Sequence, residues 1–497
     1  MMRIKDLYKE KEQGAVQLYG WVSSLRTMKK KTFIDLRDET GMVQIVAIGT
    51  VTCSLESFVS VRGCIQKRNK GDCNISPYFV YVQSLEIQCT DFEIVNASSH
   101  VGFMPYKFKD KTDVLKDRYM YLRTTRMQHH LRLYSEMKHT IRRYLDDEGW
   151  IDIATPYISS PSDEGSRQVY ASTGFSRAKG FQYALSQSPQ LYKQILMASG
   201  FEKYYQIARC FRDEDLRTDR QMEFEQLDVE TARHSVKDVQ ALLRTIVALV
   251  FRQFNKTISF SELSFNDAIF LYGSDKPDLR ITDTIQSLDG KMRVEVNSYR
   301  DGQSISDMIA QSKLNDLMDC TVDNLGSRTV ITWPNKCNTY VSLTTIGRII
   351  RKFGNRQQVD DFKAVWIKDW PLLIQQREGV VPSQHPFFAV RDSDVSIGGY
   401  VEAIDLVING QEVASGGQRE MRPDIIRSYF NLIGSNADKY NDFFKVLEAG
   451  TPPHGGFGLG LERLACLLLD LQSIREVIAF PKSRTGLCSL FGPDVPG

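Results

Sequence analysis

The stretch from Tyr204 to Glu230 constrains the fold of this chain more than any other part of the sequence. It reads YYQIARCFRDEDLRTDRQMEFEQLDVE. Alternating side chains at both ends predict two strands joined by a charged loop. Such a hairpin brings a guanidinium, an aromatic ring, an amide and carboxylates to one concave sheet face, which suits a phosphate, a purine and an ammonium group. A solvated charged hairpin at the surface explains the same pattern, so the stretch needs support from elsewhere in the chain.

Length and composition indicate an ordinary globular protein. The chain has 497 residues, of which 25% are charged and 42% are hydrophobic, enough for roughly two to four domains. The formal net charge of +2 neither requires nor excludes a nucleic-acid partner. The nine cysteines include no CxxC pair, which argues against a zinc site and against a disulfide scaffold. We find neither an apolar signal segment nor a run of about 18 apolar residues, so we predict a cytoplasmic protein with no membrane partner.

Residues 1–98 are predicted to form a small β-barrel of the OB-fold type. Short alternating segments between residues 16 and 87 give about five strands, with basic loops between them. OB folds commonly bind single-stranded nucleic acid, and an exposed Phe33 beside Arg37 and Gln44 could stack on bases and hydrogen-bond to them. The alternative is that Phe33 belongs to the core and that the lysines of the loops serve solubility.

The rest of the chain follows a polar hinge at residues 99–125. Residues 126–281 begin with a helix and a short strand that ends at Pro156, and they include the hairpin. Residues 282–363 alternate short strands and helices without a chemical motif, and we interpret them as a short inserted α/β module. Strand character returns in residues 364–497. We therefore predict an α+β multidomain protein in which the module interrupts the second domain.

Two segments outside the hairpin carry side chains suited to charged ligands. The segment QSPQLYK (187–193) places Gln190 and Lys193 at a helix start, where amides and a positive dipole end favour a carboxylate. Asp405 and Glu412 flank a tight Asn-Gly turn, so paired strands can present both carboxylates to Mg²⁺ on one face. A capped surface helix and a pair of solvated carboxylates are the corresponding alternatives.

A glycine-rich segment near the C-terminus, GGFGLGLER (455–463), leads into a helix. It differs from the dinucleotide-binding fingerprint, which would need an early strand and a downstream acid. We interpret its glycines as making room under a ligand, with Arg463 meeting phosphate or stacking on a base. Arg419 follows Glu412 through two glycines that let the backbone approach a ligand. A strand whose glycines serve only close packing is the alternative.

Together these segments resemble the class II aminoacyl-tRNA synthetases, and most closely the bacterial-type aspartyl-tRNA synthetases. The resemblance covers nearly the whole chain except residues 282–363. The helix and strand that end at Pro156 match the first family motif, which forms the homodimer interface. The segments CFRDEDLRTDRQMEFEQLD and GLGLER match the second and third motifs, while YGSDKPDLR (272–280) and GTPPHG (450–455) are specific to the aspartyl branch.

The resemblance implies an anticodon-binding OB domain and a class II catalytic domain, which is built on an antiparallel sheet flanked by helices and comprises residues 126–281 and 364–497. It also assigns the site residues. The catalytic residues would be Arg212 and Arg463. The ATP-binding residues would be Arg212, Asp213, Glu214, Gln221, Phe224, Glu412, Gly460, Leu461, Glu462 and Arg463. The aspartate-binding residues would be Glu164, Gln190, Lys193, Arg212, Asp228, Gln384 and Arg419. The Mg²⁺ ligands would be Asp405 and Glu412, and the anticodon contacts Phe33 and Gln44.

The activity implied by the resemblance is the ligation of aspartate to tRNA-Asp. L-Aspartate and ATP would give aspartyl-adenylate and pyrophosphate, and the aspartyl group would pass to the 3′ end of the tRNA. Positioning and charge neutralisation supply the rate, so no protein nucleophile is needed. Asparagine would leave Lys193 or Arg419 unpaired in a buried site at a cost on the order of 2–4 kcal/mol. The alternatives are an enzyme that also charges tRNA-Asn, a non-catalytic tRNA-binding paralogue and a tRNA-independent amide ligase.

Several features depart from the bacterial pattern of this family. Gln384 precedes His385 where two adjacent histidines are usual, and we expect Gln384 to take over that substrate contact. Phe79 stands where an anticodon-reading acid is expected, so charging of both tRNA-Asp and tRNA-Asn stays open. The segments EVASGGQRE and GLGLER look more like the archaeal and eukaryotic branches, and the inserted module is shorter. The charged loop of the hairpin is expected to reach the acceptor end of tRNA through Arg217 and Arg220.

Overall fold

The computed structural model describes most of the chain, in segments. These are residues 2–8, 14–71, 73–76, 79–99, 113–162, 166–171, 183–300, 303–312, 319–337, 339–357, 361–376, 379–396 and 398–486. The chain divides into two compact units, Met1–Glu136 with Arg475–Gly497, and Met137–Ile474. Of the helices in the described segments, none combines the length and the apolar character needed to cross a membrane.

The first unit contains a closed six-stranded sheet. Its strands are β1 (Ala15–Met28), β2 (Lys31–Arg37), β3 (Gly41–Ile48), β4 (Phe58–Lys67), β5 (Cys73–Ser76) and β6 (Phe79–Asn96). They lie in the order β3-β2-β1-β4-β6-β5, and β3 also pairs in parallel with β6, which closes the barrel. Alternate side chains such as Leu18, Ile34, Ile45 and Val61 point inward and form its core. The predicted OB-type barrel is confirmed, with the short β5 in addition to the five expected strands.

Two short helices and one long helix follow the barrel in the described sequence. They are α1 (Asp113–Lys116), α2 (Arg118–Tyr121) and α3 (Thr125–Asp147). Arg118 lies within the sequence assigned to the hinge, yet its side chain is buried. Its guanidinium donates hydrogen bonds of 2.6–2.9 Å to the backbone carbonyls of Arg475, Ile478 and Ala479. The hinge region therefore contains a buried anchor, and residues 100–112 of it lie outside the described residues.

The second unit begins with short strands and the predicted hairpin. Its elements up to residue 272 are β7 (Ile151–Asp152), β8 (Ile158–Ser159), β9 (Tyr170–Ala171), β10 (Tyr183–Leu185), α4 (Gln190–Ala198), β11 (Lys203–Phe211), β12 (Glu223–Ala232), α5 (Val236–Gln253), β13 (Ile258–Ser264) and α6 (Phe265–Tyr272). The start of α5 is set by a capping box, in which Ser235 and Asp238 satisfy each other's free backbone groups. Ser235 is thus the N-cap of α5.

An α/β module follows, as the alternating pattern predicts. Its elements are β14 (Gln286–Leu288), β15 (Lys291–Asn297), β16 (Tyr299–Arg300), β17 (Gln303–Ser304), α7 (Ile305–Ser312), β18 (Thr321–Leu325), β19 (Arg328–Pro334) and α8 (Tyr340–Phe353). Strands β14-β15-β19-β18 form an antiparallel sheet. Its buried side chains, among them Trp333, join Ile346, Val365 and Ile367 in one hydrophobic cluster. The module therefore shares a core with the sheet that follows it.

The remaining elements complete the catalytic sheet expected from the resemblance. They are β20 (Phe362–Lys368), β21 (Trp370–Pro371), β22 (Leu373–Gln376), β23 (Gly379–Pro382), β24 (Tyr400–Val401), β25 (Ala403–Ile408), β26 (Gln411–Gln418), α9 (Pro423–Leu432), α10 (Asn441–Glu448), β27 (His454–Gly460) and α11 (Leu461–Leu468). Eight strands lie in the order β13-β20-β25-β26-β27-β12-β11-β7. The pairs β13–β20 and β11–β7 are parallel and the inner pairs antiparallel. The antiparallel sheet is confirmed for its centre, whereas the parallel edges were not predicted.

Candidate active site

A cavity of about 640 Å³ lies over the strands of the hairpin and of the glycine-rich segment. It collects side chains from distant parts of the sequence. The predicted site residues that line it are Gln190, Lys193, Arg212, Glu214, Gln221, Phe224, Gln384, Glu412, Arg419, Gly460, Glu462 and Arg463. The sheet therefore brings together most residues that the sequence assigned to one site. Glu164 lies outside the described residues.

The register of the central strands explains why β27 is rich in glycine. Asp228 and Glu230 of β12 lie opposite Gly458 and Gly456. A Cβ atom added at Gly456 would lie 2.3 Å from Oε2 of Glu230, and one at Gly458 would lie 2.3 Å from Nε2 of Gln226. Gly456 and Gly458 thus make room for side chains of the neighbouring strand, while Gly458 and Gly460 also line the cavity.

Two cations and two carboxylates form a buried network at one end of the cavity. Nζ of Lys193 lies 2.5 Å from Oδ1 of Asp228 and 3.1 Å from Oε2 of Glu230. The guanidinium of Arg419 donates two hydrogen bonds to Glu230, from Nε at 2.8 Å and from Nη2 at 3.1 Å. The four side chains are at most 2% exposed. Burial by itself raises the pKa of Glu230, but Arg419 and Lys193 outweigh it and lower that pKa to about 2.

Glu230 was missed as a site residue by sequence reasoning. The alternation on β12 placed it on the same face as Asp228, and this was the available signal. What the sequence does not reveal is that Lys193 and Arg419, the two predicted substrate cations, both pair with Glu230. The expectation that Lys193 and Arg419 bind the substrate carboxylate is therefore modified. Carboxylates of the protein neutralise both cations and hold them in place.

His385 supplies a second donor beside Arg419. Its Nδ1 accepts the backbone N–H of Phe387 at 3.2 Å, and its Nε2 lies 3.5 Å from Nη1 of Arg419. Burial, together with the charges of Arg419, Lys193 and Arg212, lowers the pKa of His385 well below its usual value. A neutral ring whose Nδ1 accepts carries its proton on Nε2. In that tautomer Nε2 of His385 and the guanidinium of Arg419 are both donors, and both residues line the cavity.

Gln384 does not lie at this end of the site. Its Nε2 donates to Oδ2 of Asp405 at 3.3 Å. The side chain expected to replace a histidine contact to the substrate instead supports a predicted metal ligand. His385 is the residue that reaches Arg419. Phe387 and Phe388, which follow closely in the sequence, are buried and hold the backbone of this segment in place.

Asp228 has polar neighbours suited to an ammonium group. Its Oδ2 accepts from Gln226 Nε2 and, at 3.4 Å, from Ser188 Oγ. Gln190 lies nearby at the start of α4 and lines the same cavity. Nε2 of Gln190 is buried and has no hydrogen-bond partner in the described part of the chain. The amide of Gln190 is therefore available to a ligand, as the segment QSPQLYK predicts.

The opposite end of the cavity carries the cations predicted for phosphate. The guanidinium carbon of Arg212 lies 5.1 Å from the centre of the Phe224 ring. Arg463 donates to the carbonyl of Glu412 at 3.1 Å and lies 3.6 Å from a carboxylate oxygen of Asp219. Arg463 thereby ties the charged loop of the hairpin to β26. Both guanidiniums line the cavity.

The acidic and polar residues of the predicted nucleotide site lie in two places, in or beside the charged loop of the hairpin and at the start of α11. Glu214 binds Ser166 at 2.6 Å and Arg220 at 2.7 Å within the charged loop, where Gln221 is buried. Asp213 is paired with Arg167 at 3.3 Å. Glu462 accepts the backbone N–H of Glu225 at 2.8 Å, and burial raises its pKa to about 7. Leu461 is fully buried, so the side chains of residues 461 and 462 hold the helix start in place, next to Gly460.

Asp405 and Glu412 face the same side of the sheet. Asp405 pairs with Ser415, a bulge follows, and Val407 pairs with Glu412, which restores the common face. Burial and the charge of Glu412 raise the pKa of Asp405 to about 8. Its buried Oδ1 has no hydrogen-bond partner among the described residues. A buried carboxylate oxygen without a partner fits a hard divalent cation such as Mg²⁺.

The described residues hold no cluster of three or more His, Cys, Asp or Glu side chains that could bind a metal. The pair Asp405 and Glu412 would therefore need further ligands, which phosphate oxygens of a nucleotide can supply. Lys276 also enters this site, with its Nζ 2.9 Å from Oε2 of Glu412. The sequence indicated no role for Lys276, although the segment YGSDKPDLR that contains it was singled out.

The predicted anticodon residues Phe33 and Gln44 lie on one face of the barrel, where Gln44 is buried. Phe33 is half-buried, and Gln44 bonds to Glu86 at 3.3 Å and to Arg68 at 3.2 Å. Arg37 is wrongly placed by the sequence argument, since it is buried in an ion pair of 2.8 Å with Glu56. Arg37 turns inward because the buried carboxylate of Glu56 binds its guanidinium.

The acid beside Gln44 is Glu86, which lies opposite it in the pairing of β3 with β6. Phe79 is 4% exposed at the start of β6. The expectation that Phe79 takes the place of a base-reading acid is therefore revised, because the barrel has a carboxylate at this face and buries the phenylalanine.

Comparison with known proteins yields matches over nearly the whole chain. The family model described as "tRNA synthetases class II (D, K and N)" matches residues 110–484, and the one described as "OB-fold nucleic acid binding domain" matches residues 16–95. The curated protein "Aspartate--tRNA(Asp/Asn) ligase" of Legionella pneumophila is 32% identical over 565 residues, covering 97% of this chain and 94% of that protein. "Aspartate--tRNA ligase" of Enterococcus faecalis is also 32% identical and covers 94% of this chain and 92% of its own length.

A solved structure shares the fold of this chain. The asparaginyl-tRNA synthetase from Pyrococcus horikoshii, complexed with asparaginyl-adenylate, superposes with a TM-score of 0.66. The two chains are 19% identical, and the superposition covers 98% of this chain and 99% of that one. At this identity the likeness concerns the fold alone.

Proposed function

We propose that this chain, which belongs to the class II tRNA synthetases of the D, K and N group, activates L-aspartate with ATP and transfers it to tRNA-Asp. The chain is an aminoacyl-tRNA ligase, and its family binds tRNA, ATP and an amino acid. The family is described by three amino acids, aspartate, lysine and asparagine. The residues of the pocket decide which of them this chain uses. The arrangement of charges there supports aspartate.

One observation carries the choice of aspartate. Arg419 and His385 both line the cavity, with Nη1 of Arg419 3.5 Å from Nε2 of His385, and a neutral His385 ring that accepts at Nδ1 donates from Nε2. A carboxylate can accept from both, whereas the amide of asparagine would turn its own NH₂ toward one of them. That mismatch costs on the order of 1–3 kcal/mol, because a buried donor stays unpaired. A lysine side chain would bring a third cation beside Lys193 and Arg419, which disfavours it further.

The α-amino group of the substrate would be held by Asp228. This carboxylate is fully buried and is oriented by Lys193, Gln226 and Ser188. Gln190, whose amide nitrogen is unpaired, would bind beside it. In this orientation the α-carboxylate points toward Arg212, and Arg212 contacts the α-phosphate of ATP. The reaction then requires in-line attack of the α-carboxylate on that phosphorus, with pyrophosphate leaving.

The nucleotide would lie between Arg212, Phe224 and Arg463. Phe224 offers an aromatic face to adenine, and Arg463 offers a cation to the far phosphates. Asp405 and Glu412 would hold Mg²⁺, which would neutralise phosphate charge. Support comes from the unpaired Oδ1 of Asp405 and from the common face that the β-bulge gives the two carboxylates.

The OB barrel would bind the anticodon through Phe33 and Gln44, with Glu86 beside them. Charging of both tRNA-Asp and tRNA-Asn is a second candidate function. Its support is that similar proteins carry the name "Aspartate--tRNA(Asp/Asn) ligase". Charging purified tRNA-Asp and tRNA-Asn transcripts side by side distinguishes the two functions, since only the broader enzyme aspartylates both.

We also propose a homodimer that forms through α3 and β7, and a cytoplasmic location, where tRNA and ATP are available for translation. Strand β7 lies at the edge of the eight-stranded sheet, and Ile151 on it is 48% exposed. An edge strand also offers unpaired backbone N–H and C=O groups with which a second chain can pair. Sedimentation of the purified protein tests the dimer, and a monomer at micromolar concentration would contradict it.

Aspartate-dependent exchange of labelled pyrophosphate into ATP tests the proposed activation step. We expect exchange with aspartate, and none with asparagine or lysine. Arg212→Ala, purified in the same way, controls for contaminating host enzyme, because it loses the cation on the α-phosphate. Exchange that depends on asparagine or lysine instead would overturn the substrate assignment, and tRNA binding without any exchange would favour a non-catalytic paralogue.

A further inference from the structure

We propose that Lys276 is an internal counter-cation, which holds Glu412 when no nucleotide is bound and competes with the metal ion for that carboxylate. The inference rests on the proposed metal site at Asp405 and Glu412. It assigns a role to the segment YGSDKPDLR, which the proposed activation chemistry does not use. The consequence is that a divalent ion binds well only when nucleotide phosphates contribute to the site.

The position of Lys276 is the first observation. Its Nζ lies 2.9 Å from Oε2 of Glu412 and 3.5 Å from Oδ2 of Asp275. An ammonium group at this distance occupies a carboxylate oxygen that a metal ligand must offer. The charges of Lys276 and Asp405 also interact. A metal ion can therefore reach Glu412 only if the ammonium moves away, or if the ion overcomes its repulsion.

The segment that carries Lys276 is fixed against the strands that carry the carboxylates. Asp278 binds Arg280 through two hydrogen bonds of 2.8 Å, and Arg280 also donates to the carbonyl of Asn409 at 3.4 Å. Gly410 follows with φ +80°, and a Cβ atom added there would lie 2.9 Å from Cβ of Asp278. The backbone near residue 278 thus abuts the turn that joins β25 to β26.

This contact has a direct consequence for the metal site. The turn at residues 409–410 is part of the hairpin that presents Asp405 and Glu412, so the segment and the hairpin form one packed assembly. This packing holds the backbone near Lys276 beside the hairpin, and the Lys276 side chain, which is 37% exposed, reaches Glu412 from there. Lys276 acts by charge and position, and it touches no reacting atom in this account, so it is a positioning residue.

Asp405 gives the second observation. Its Oδ1 is buried without a hydrogen-bond partner in the described residues, while Glu412 is paired with Lys276. The two carboxylates thus differ, since Asp405 accepts from Gln384 and keeps one oxygen without a partner among the described residues, whereas Glu412 is paired with a cation. An ion that arrives alone meets one available carboxylate and a cation. An ion that arrives with ATP brings phosphate oxygens as ligands, and their negative charge also attracts Lys276.

Binding of Mn²⁺ to the full-length enzyme without nucleotide tests the inference, with free Mn²⁺ measured by electron paramagnetic resonance. Lys276→Met and Lys276→Gln remove the competing cation, and each should tighten Mn²⁺ binding about tenfold or more. Lys276→Arg keeps the charge and should bind Mn²⁺ as the unaltered enzyme does. Lys368→Met is the matched control, since Lys368 pairs with Glu262 at 2.7 Å in a surface ion pair of the same type.

Failure of the inference and failure of the metal site give different results. The role of Lys276 would be overturned if Lys276→Met and Lys276→Gln, without nucleotide, both bound Mn²⁺ with an affinity within about twofold of that of the unaltered enzyme. The metal site itself is tested with Mn²⁺ and ATP together, where Asp405→Asn should weaken binding. If Asp405→Asn binds Mn²⁺ and ATP normally, the proposed metal site is wrong and the inference falls with it. Urea unfolding midpoints confirm that the compared variants are folded.

Discussion

Glu230 illustrates how a single buried side chain organises the amino-acid pocket. It contacts Lys193 at 3.1 Å and Arg419 at 2.8 and 3.1 Å, and it is 0% exposed. Two buried cations would be costly without it, because ions lose their hydration in the interior. Glu230 therefore orients both cations while remaining outside the expected contact with substrate.

Replacement of Glu230 by Gln should destabilise the protein strongly. The change leaves Lys193 and Arg419 with Asp228 as their remaining carboxylate in this network, and removal of one partner of a buried ion network costs about 3–5 kcal/mol. Urea unfolding followed by circular dichroism measures this loss. Glu262→Gln, which breaks the exposed ion pair with Lys368, should change stability by about 1 kcal/mol or less. Equal effects of the two changes would contradict the role given to Glu230.

The acid sensitivity of stability should also depend on Glu230. Its pKa falls from 4.5 to about 2 on folding, so the unfolded chain binds the proton more readily. The stabilisation is therefore complete above about pH 4.5 and is lost as pH falls from there toward 2. Unfolding free energies of the unaltered protein and of Glu230→Gln, measured between pH 6 and 3, should converge as pH falls. A difference that stays constant with pH would contradict this assignment.

At the scale of elements, the charged loop between β11 and β12 has two functionally different arginines. Arg220 binds Glu214 at 2.7 Å, and Glu214 lines the cavity. Arg217 is largely exposed and lies 4.0 Å from Asp215. The expectation that both arginines serve tRNA alone therefore needs refinement, because Arg220 is connected to the predicted nucleotide site.

Alanine substitutions in this loop should separate the two arginines. Arg217→Ala should weaken tRNA charging several-fold while pyrophosphate exchange stays unchanged, since an exposed guanidinium suits a phosphate of the acceptor end. Arg220→Ala should reduce both reactions, because Glu214 loses its partner. Parallel assays of exchange and charging on the two variants measure the split. A fall in exchange with Arg217→Ala would mean that this side chain also serves ATP.

At the scale of the whole molecule, the inserted module and the catalytic sheet behave as one packed body within the second unit. Trp333 of the module is 1% exposed and belongs to the same cluster as Ile346, Val365 and Ile367. Such a shared core couples the stability of both parts. The module is therefore a structural part of the catalytic unit, whatever it contributes to tRNA binding.

Trp333→Ala should weaken β20 as well as the module. A cavity of this size costs about 3–5 kcal/mol, and hydrogen exchange at residues 364–367 should accelerate because these strand residues pack on the same cluster. Leu325→Ala, at a residue that is 61% exposed, is the control and should leave exchange unchanged. If only amides of the module respond to Trp333→Ala, the two parts unfold independently.

The sequence predicted strands and helices better than it predicted which side chains contact each other. Alternation located β11 and β12, since this signal is local. The pairing of Lys193 with Glu230, the tautomer of His385 and the buried position of Arg37 depend on residues far apart in the chain. Local patterns carry no information on such contacts, so the sequence selected residues that line one cavity without revealing how they bind one another.

The glycines of β27 also limit how this pocket can change. Side chains at positions 456 and 458 would collide with Glu230 and Gln226, so the chain has little freedom to vary there without disturbing its own carboxylates. An inhibitor seated against this strand would contact backbone atoms that substitution cannot easily remodel. Resistance would then have to arise elsewhere in the cavity wall, which makes the strand an attractive surface for drug design.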